Sequence, residues 1–126
     1  MPNYTAPIPE FRFLLQEVLG YESRVSTLPG LEDATMDIVL AVLEGAGEFA
    51  SDALVPINSP GDAEGCVVEG GIVRTPRGYK EAYERFRGSG WPALAGDPAY
   101  DGQGLPLSLA LFVRCLLYTS PSPRDS

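Results

Sequence analysis

The chain has 126 residues, a net charge of −8 and no histidine. Its length fits one small domain, and an apolar content of 44% is enough for one hydrophobic core. Because no cluster of Lys or Arg rises above the acidic background, the sequence disfavours binding to nucleic acids and to anionic membrane surfaces. The lack of histidine excludes His-dependent triads and His-ligated metals within these residues.

The sequence also indicates a compartment. The N-terminus, MPNYTAPIPEFRFLL, lacks the basic region and apolar core of an export signal. No apolar run approaches the roughly 20 residues that a membrane span needs. Two cysteines, Cys66 and Cys115, do not make a disulfide framework. We therefore expect a soluble protein of the reducing cytoplasm.

The last twelve residues, CLLYTSPSPRDS from Cys115 to Ser126, are unusual after an apolar helical pattern. A polar, Pro/Ser-rich end is common at natural termini. Cys115 to Asp125 can also be back-translated into a string that resembles the adapter left by transposase-based sequencing libraries. We favour this second interpretation, so that the biological sequence covers residues 1–114 and the protein is truncated. The tail is then expected to be exposed and to make no specific contacts, although the preceding helix can continue into it for about one turn.

The first half of the chain has two helical patterns. Apolar residues recur at helical spacing from Phe11 to Leu19, and Gly20 ends this helix. Asp33 and Thr35 are plausible N-caps for a longer pattern over residues 36–54. This pattern is apolar on two adjoining stripes, so we expect it to be buried on more than one side. Gly45 and Gly47 within it are expected to allow the close approach of a neighbouring helix. Val55-Pro56 ends the pattern, and residues 57–66 are predicted as a loop.

The second half begins with two short β-branched runs around Gly70-Gly71, which predict a small hairpin. Thr75 followed by Pro76 resembles a helix N-cap with Pro at the first helical position. Residues 97–106, DPAYDGQGLP, are predicted as a loop, and Pro106 starts a last helix. The predicted fold is thus mainly α, with four principal helices and one hairpin. Its predicted core contains Leu40, Leu43, Phe49, Tyr83 and Phe86.

Several sequence patterns resemble functional motifs but do not match them. Asp62, Glu64 and Glu69 do not have the alternating spacing of a calcium loop. Gly102-Gln103-Gly104 is not the start of a dinucleotide-binding turn, because residue 107 is Leu where the third glycine should stand. Cys66 has no basic neighbour that would activate it, so we expect a small buried hydrophobe. Four aromatic residues between positions 79 and 91 resemble a ligand cage, but we interpret them as core residues: Tyr79, Tyr83, Phe86 and Trp91.

Four phrases nevertheless occur in an informative order: YTAPIPEFRFLL, DALVPINSPGDAEGC, GGIVRTPRGYKEAYERF and GSGWPALAGDPAYDGQGLP. Together they resemble the start of an acyl-CoA dehydrogenase. More narrowly, the chain is similar to the long bacterial branch of that family, which has an extended N-terminus and includes the 3-methylthiopropionyl-CoA dehydrogenases. One departure stands out, since Asp101 occupies a position where the family usually has glycine. A positive φ is less comfortable for aspartate than for glycine there.

The resemblance implies a flavoenzyme that oxidises an acyl-CoA thioester to an enoyl-CoA with FAD, which an electron acceptor then reoxidises. It implies a homo-oligomer of three-part subunits, of which residues 1–114 are the N-terminal helical domain. The catalytic Glu and most FAD contacts would lie beyond this chain, so no catalytic residue is assigned. This domain would wall the acyl pocket and shield the flavin from water.

Gln103, Gly104 and Leu105 are the candidate substrate-proximal residues. Small residues in a loop before a helix N-terminus let the backbone approach a ligand. An equally good interpretation is that GQGLP merely turns the chain and starts a helix.

The rival hypothesis for the whole chain is a free-standing acidic helical module that binds a protein partner through its apolar surface. The two hypotheses differ in the sequence expected after residue 114, since a dehydrogenase requires a β-rich middle domain and a further helical bundle.

Overall fold

The computed structural model describes residues 4–118. Its helices span Ile8–Phe13 (α1), Tyr21–Val25 (α2), Met36–Phe49 (α3), Val55–Glu64 (α4), Tyr79–Gly88 (α5) and Leu107–Tyr118 (α6). The strands Val67–Glu69 (β1) and Ile72–Arg74 (β2) form an antiparallel hairpin in which Val68 faces Val73. The predicted fold class, mainly α with one small hairpin, is confirmed. In residues 4–118, no helix has the length and apolarity required to cross a bilayer.

The first predicted helix is present and ends before Gly20, which has a φ of 55°. It consists of α1 and a π-helical turn over Leu14–Val18. Leu15 is buried, but Val18 is 57% exposed although the helical spacing placed it on the apolar stripe. The π turn explains this difference, because its i→i+5 hydrogen bonding rotates the later side chains away from the α-helical stripe.

The central helix α3 begins after Thr35, whose side chain accepts a hydrogen bond from the Ile38 N–H at 3.4 Å. Leu43 is completely buried, and Phe49 is 8% exposed. The prediction for Tyr83 is wrong, because this residue of α5 is 61% exposed. Of the remaining predicted core residues, Leu40 and Phe86 are half-buried. The outer face of α5 has no layer over it in the described part of the chain, so helical spacing alone overestimated its burial.

The predicted end of the central helix at Val55-Pro56 is wrong. The loop predicted for residues 57–66 is wrong over residues 57–64, which are helical. A π-helical turn, Ala50–Leu54, continues α3 directly into α4. The N–H of Val55 donates to the carbonyl of Ala50, and Pro56 occupies the second position of α4. A proline in the first helical turn loses no intrahelical hydrogen bond, so Pro56 is compatible with a new helix as well as with an end.

Other parts of the chain approach α3 closely at Gly45 and Gly47, as predicted. The segments that approach are not the neighbouring helix that was expected. A Cβ on Gly47 would lie 2.8 Å from the Cβ of Ala6, in the segment before α1. A Cβ on Gly45 would lie 3.3 Å from the indole ring of Trp91. Both glycines therefore allow flanking segments to pack on the central helix.

The hairpin is confirmed, with Gly70 and Gly71 at φ values of 58° and 79° in its turn. The predicted N-cap at Thr75 is wrong. Pro76 instead begins a turn in which its carbonyl accepts from the Tyr79 N–H at 3.3 Å, and α5 follows Gly78 at a φ of 87°. A glycine with positive φ thus sets the start of this helix.

The last helix, α6, follows Pro106 and continues through residues 115–118, as expected for a helix that runs about one turn into the tail. The expectation that the tail is exposed and makes no specific contacts is wrong at Leu116. Leu116 is completely buried, and its carbonyl accepts a hydrogen bond from the Tyr4 hydroxyl at 3.1 Å. Leu116 lies on the same helical face as the buried Leu109 and Val113. Residues 119–126 lie outside the described part of the chain.

Two polar contacts attach α2 to the core. The Tyr21 hydroxyl lies 2.6 Å from the Ser108 hydroxyl of α6. The Glu22 carboxylate accepts the N–H of Met36, the first residue of α3, at 2.9 Å. A carboxylate at a helix N-terminus both satisfies an orphan donor and interacts favourably with the helix dipole. The short helix α2 therefore joins the N-termini of the two most buried helices.

Candidate functional site

The loop that contains the predicted site residues is built by local hydrogen bonds. Between α5 and α6 it forms two 3₁₀ turns, Trp91–Ala93 and Pro98–Tyr100. The Asp97 side chain accepts the Ala99 N–H at 2.9 Å and caps the second turn. The Asp97 carbonyl also accepts the N–H groups of Tyr100 and Gly102. The loop is thus a compact turn.

The segment of Gln103, Gly104 and Leu105 runs back beside residues 93–96 and is held there by backbone hydrogen bonds. Their N–H groups donate to the carbonyls of Ala93, Gly96 and Leu94 respectively, each at 2.9 Å. The Gln103 side-chain amide donates to the Gly90 carbonyl at 3.0 Å. The three backbone N–H groups are therefore occupied within the chain, and a ligand would have to meet other groups of these residues.

Glycine is required at two positions of this loop. A Cβ on Gly102 would overlap the backbone of Gly96, so the two chain segments can cross only if residue 102 is glycine. Gly104 has a φ of 66° and packs against the Pro98 ring. The GQG pattern is thus explained by the close crossing and the turn geometry, without a dinucleotide.

Asp101 has a φ of 65° and a ψ of 18°, in the left-handed region. It is the one non-glycine residue in residues 4–118 with a positive φ. This is the position where the resemblance predicts glycine, and the structure confirms that the loop requires a positive φ there. The departure from the family pattern therefore adds a local conformational cost.

A cavity of about 680 Å³ lies between this loop and the segment that precedes α3. Its lining includes all three predicted site residues, together with apolar groups and two carboxylates: Leu31, Asp33, Ala34, Ile38, Ala95, Asp97, Pro98, Gln103, Gly104 and Leu105. No Lys or Arg is among the residues that line it. Such a lining suits a neutral or weakly polar ligand better than a phosphate or another anion.

A second, apolar groove of about 310 Å³ lies between α5 and the α3–α4 helix. We call it the aromatic groove, and its apolar lining consists of Phe49, Leu54, Ile57, Tyr79, Ala82, Tyr83 and Phe86. Sequence reasoning assigned the aromatic residues of α5 to the core and missed the groove. The reason is the loop predicted for residues 57–66, since only a helix there brings Ile57 opposite α5. The available signal was the position of Pro56, which suits the first turn of a helix.

Two of the three residues rejected as calcium ligands have other partners. Glu69 pairs with Arg74 at 2.6 Å, and Glu64 accepts the Arg77 N–H at 3.2 Å. The prediction for Cys66 is wrong, because its side chain is exposed at the base of the hairpin. The small hairpin provides no core in which Cys66 could be buried.

The chain is similar in sequence to a known enzyme. No protein-family model matches it. Over 104 residues it is 34% identical to the 3-methylmercaptopropionyl-CoA dehydrogenase of Ruegeria pomeroyi, and this match covers 82% of the chain. The chain spans 18% of the length of that relative. Over most of its own length, therefore, the chain is related to an acyl-CoA dehydrogenase, and the family resemblance of its four sequence phrases is confirmed.

Proposed function

We propose that residues 1–114 are the N-terminal helical domain of a longer, cytoplasmic, flavin-dependent acyl-CoA dehydrogenase, and that residues 115–126 are a non-native tail. The observation that carries this proposal is 34% identity over 82% of the chain to a dehydrogenase of much greater length. The parent enzyme would oxidise the Cα–Cβ bond of an acyl-CoA thioester and give an enoyl-CoA. It would act as a homo-oligomer, with a separate electron acceptor.

The name of the relative suggests a substrate class for the parent enzyme. A 3-methylmercaptopropionyl group is a short acyl chain that ends in a thioether. The cavity beside Gln103 is lined largely by aliphatic groups and has no cationic side chain in its wall. This composition is compatible with a short, uncharged acyl group and unfavourable for the phosphates of coenzyme A, which would need another part of the parent enzyme.

The residues around this cavity do not fit the task of holding FAD. The pyrophosphate of a dinucleotide requires cations or free backbone N–H groups. The N–H groups of residues 102–105 donate to carbonyls of the chain, and the cavity beside them contains the carboxylates of Asp33 and Asp97. The proposed role of this domain is to exclude water from a flavin that other parts of the parent enzyme hold.

Gln103, Gly104 and Leu105 are proposed to face the substrate side of the domain. All three line the larger cavity, and their backbone is held by three hydrogen bonds to residues 93–96. A wall held in this way changes little when a ligand arrives, which favours orientation of a bound group. Their contribution would be shape and exclusion of water, while the acid–base chemistry would belong to the catalytic Glu that the resemblance places beyond this chain.

The second candidate function is a protein-interaction module, and the aromatic groove is the observation that favours it. Tyr79 and Tyr83 on its rim are 36% and 61% exposed. Aromatic residues around an open apolar groove are typical of surfaces that bind a partner. In a dehydrogenase the same groove would instead be covered by the remainder of the polypeptide.

The source DNA distinguishes the two functions. Sequencing through the codon for Arg114 from an independent, transposase-free preparation should reveal an open reading frame that continues into a β-rich segment and a further helical region. A natural stop codon directly after Ser126, with CLLYTSPSPRDS present in that preparation, would refute the proposed truncation and favour the interaction module.

A further inference from the structure

The larger cavity, of about 680 Å³, has apolar walls that carry two carboxylates and no cation. Leu31, Ile38 and Leu105 supply aliphatic surface. Ile38 is 40% exposed although it lies in the first turn of the central helix. Asp33 and Asp97 are the charged residues among those that line the cavity. A ligand bound there would therefore lie between apolar groups and beside negative charge only.

Local hydrogen bonds fix one carboxylate-bearing residue on each side of the cavity. Asp33 lies in the segment before α3, where its carbonyl accepts the Thr35 N–H at 2.9 Å. The next residue, Ala34, is 3% exposed and anchors this segment to the core. Asp97 lies in the loop on the other side, where its side chain accepts the Ala99 N–H at 2.9 Å. The two aspartates are therefore held at fixed backbone positions in the cavity wall.

Neither carboxylate is neutralised by a basic side chain of the described residues. The ion pairs within residues 4–118 join Arg74, Arg77 and Arg87 to glutamates elsewhere in the chain. Two charges interact more strongly when further polypeptide covers a site, because the effective dielectric constant falls as water is excluded. A carboxylate on the ligand would be repelled there and would find no Lys or Arg partner, so its transfer from water would be costly.

On the basis of the proposed function, in which this cavity receives the acyl group, we propose that Asp33 and Asp97 select against acyl groups that carry a negative charge. An acyl chain that ends in a carboxylate is repelled by the two aspartates. A chain of the same size with a neutral end is accepted, and the aliphatic surface of Ile38 and Leu105 contacts it. Both aspartates act by charge on the bound acyl group and transfer no proton themselves. They are thus specificity-determining residues of the parent enzyme.

Two substrates that differ in terminal charge and match in size test this selectivity: adipoyl-CoA, which ends in a carboxylate, and its neutral terminal amide. The product of the reading frame extended past Arg114 is assayed with both and an artificial electron acceptor. We expect kcat/KM for the amide to exceed that for the carboxylate about tenfold or more. In the Asp33→Asn/Asp97→Asn variant this ratio should fall to about threefold or less, because both charges are removed. Asparagine can still accept the Ala99 N–H, so the turn after residue 97 is preserved.

The matched control is Asp52→Asn/Asp62→Asn, which removes two charges at exposed positions that do not line the cavity. This control should keep the ratio of the unmodified enzyme. The proposal is overturned if the unmodified enzyme oxidises both substrates equally well, or if the control loses the preference as the Asp33/Asp97 variant does. It is also overturned if that variant keeps the full preference, since the cost of burying any charge would then explain the ratio. An extended product that oxidises neither substrate would contradict the proposed function itself, and this selectivity with it.

Discussion

Asp101 illustrates how one residue can carry a conformational cost. It has a φ of 65° in a loop where the family pattern has glycine. Asp101→Gly should raise the free energy of unfolding by up to about 1 kcal/mol, because glycine removes the steric cost of the left-handed region while it also increases the entropy of the unfolded chain. Urea titration checks this value. Asp101→Val is the control, and a β-branched residue at this φ should destabilise the chain. If Gly and Val destabilise it equally, the backbone of residue 101 carries no such cost.

Leu116 shows that a residue of the proposed non-native tail can be part of the core. Its side chain is completely buried, and the bond from Tyr4 goes to its backbone carbonyl. Both contacts depend on helical register, since an apolar residue seven positions after Leu109 falls on the same face. They are therefore compatible with a tail that was never selected to pack.

Leu116→Ala should lower the free energy of unfolding by about 2–5 kcal/mol, as is typical for a leucine removed from a packed core. The matched control is Leu111→Ala on the same helix, where the side chain is 55% exposed. It should cost no more than about 0.5 kcal/mol. Thermal unfolding followed by circular dichroism measures both. An equal effect of the two substitutions would contradict the burial of Leu116.

At the scale of elements, Pro56 and Pro60 of α4 have different positions and different expected effects. Pro56 is at the second position of the helix, whereas Pro60 lies inside it and leaves one carbonyl without its usual donor. Pro60→Ala should therefore stabilise the chain by about 1–3 kcal/mol. Pro56→Ala is the control and should change the stability by less than about 1 kcal/mol. Chemical denaturation of the two variants measures this difference. A destabilising Pro60→Ala would show that α4 does not continue through this residue.

The elements that sequence reasoning predicted are those in which a strong local pattern coincides with a local stop signal. Gly20 ends the first helix, and Gly70-Gly71 specifies the hairpin turn. The errors arise where two local interpretations are possible, since Pro56 can end one helix or begin another. Thr75 is a sound capping residue, but the positive φ of Gly78 sets the start of α5.

For the candidate site, too, the sequence predicted the local structure and missed the long-range contacts. The loop around Gln103 was predicted from the glycine and proline residues within it, which are a local signal. The cavity beside it depends on the segment before α3, more than sixty residues earlier in the chain, and no local pattern contains that contact. The aromatic groove was missed because it needs Ile57 on a helix that the sequence was thought to lack.

At the scale of the whole molecule, the chain has a well-formed core and large apolar surfaces outside it. The core joins α1, α2, α3 and α6, whereas the aromatic groove and the hairpin leave apolar side chains exposed. Exposed apolar surfaces of this kind are typical of a domain that packs against further polypeptide. This distribution supports the proposal that the chain is one part of a longer enzyme.

The visible absorption spectrum of purified protein tests the central claim most directly. The 126-residue chain should be colourless after expression with excess flavin, because the residues around its larger cavity provide no site for the dinucleotide phosphates. The product of the reading frame extended past Arg114 should retain FAD with its oxidised-flavin absorption, and this absorption should bleach when a short acyl-CoA is added without oxygen. A yellow 126-residue chain would contradict the assigned role of this domain, and an extended product without flavin would contradict the proposed dehydrogenase.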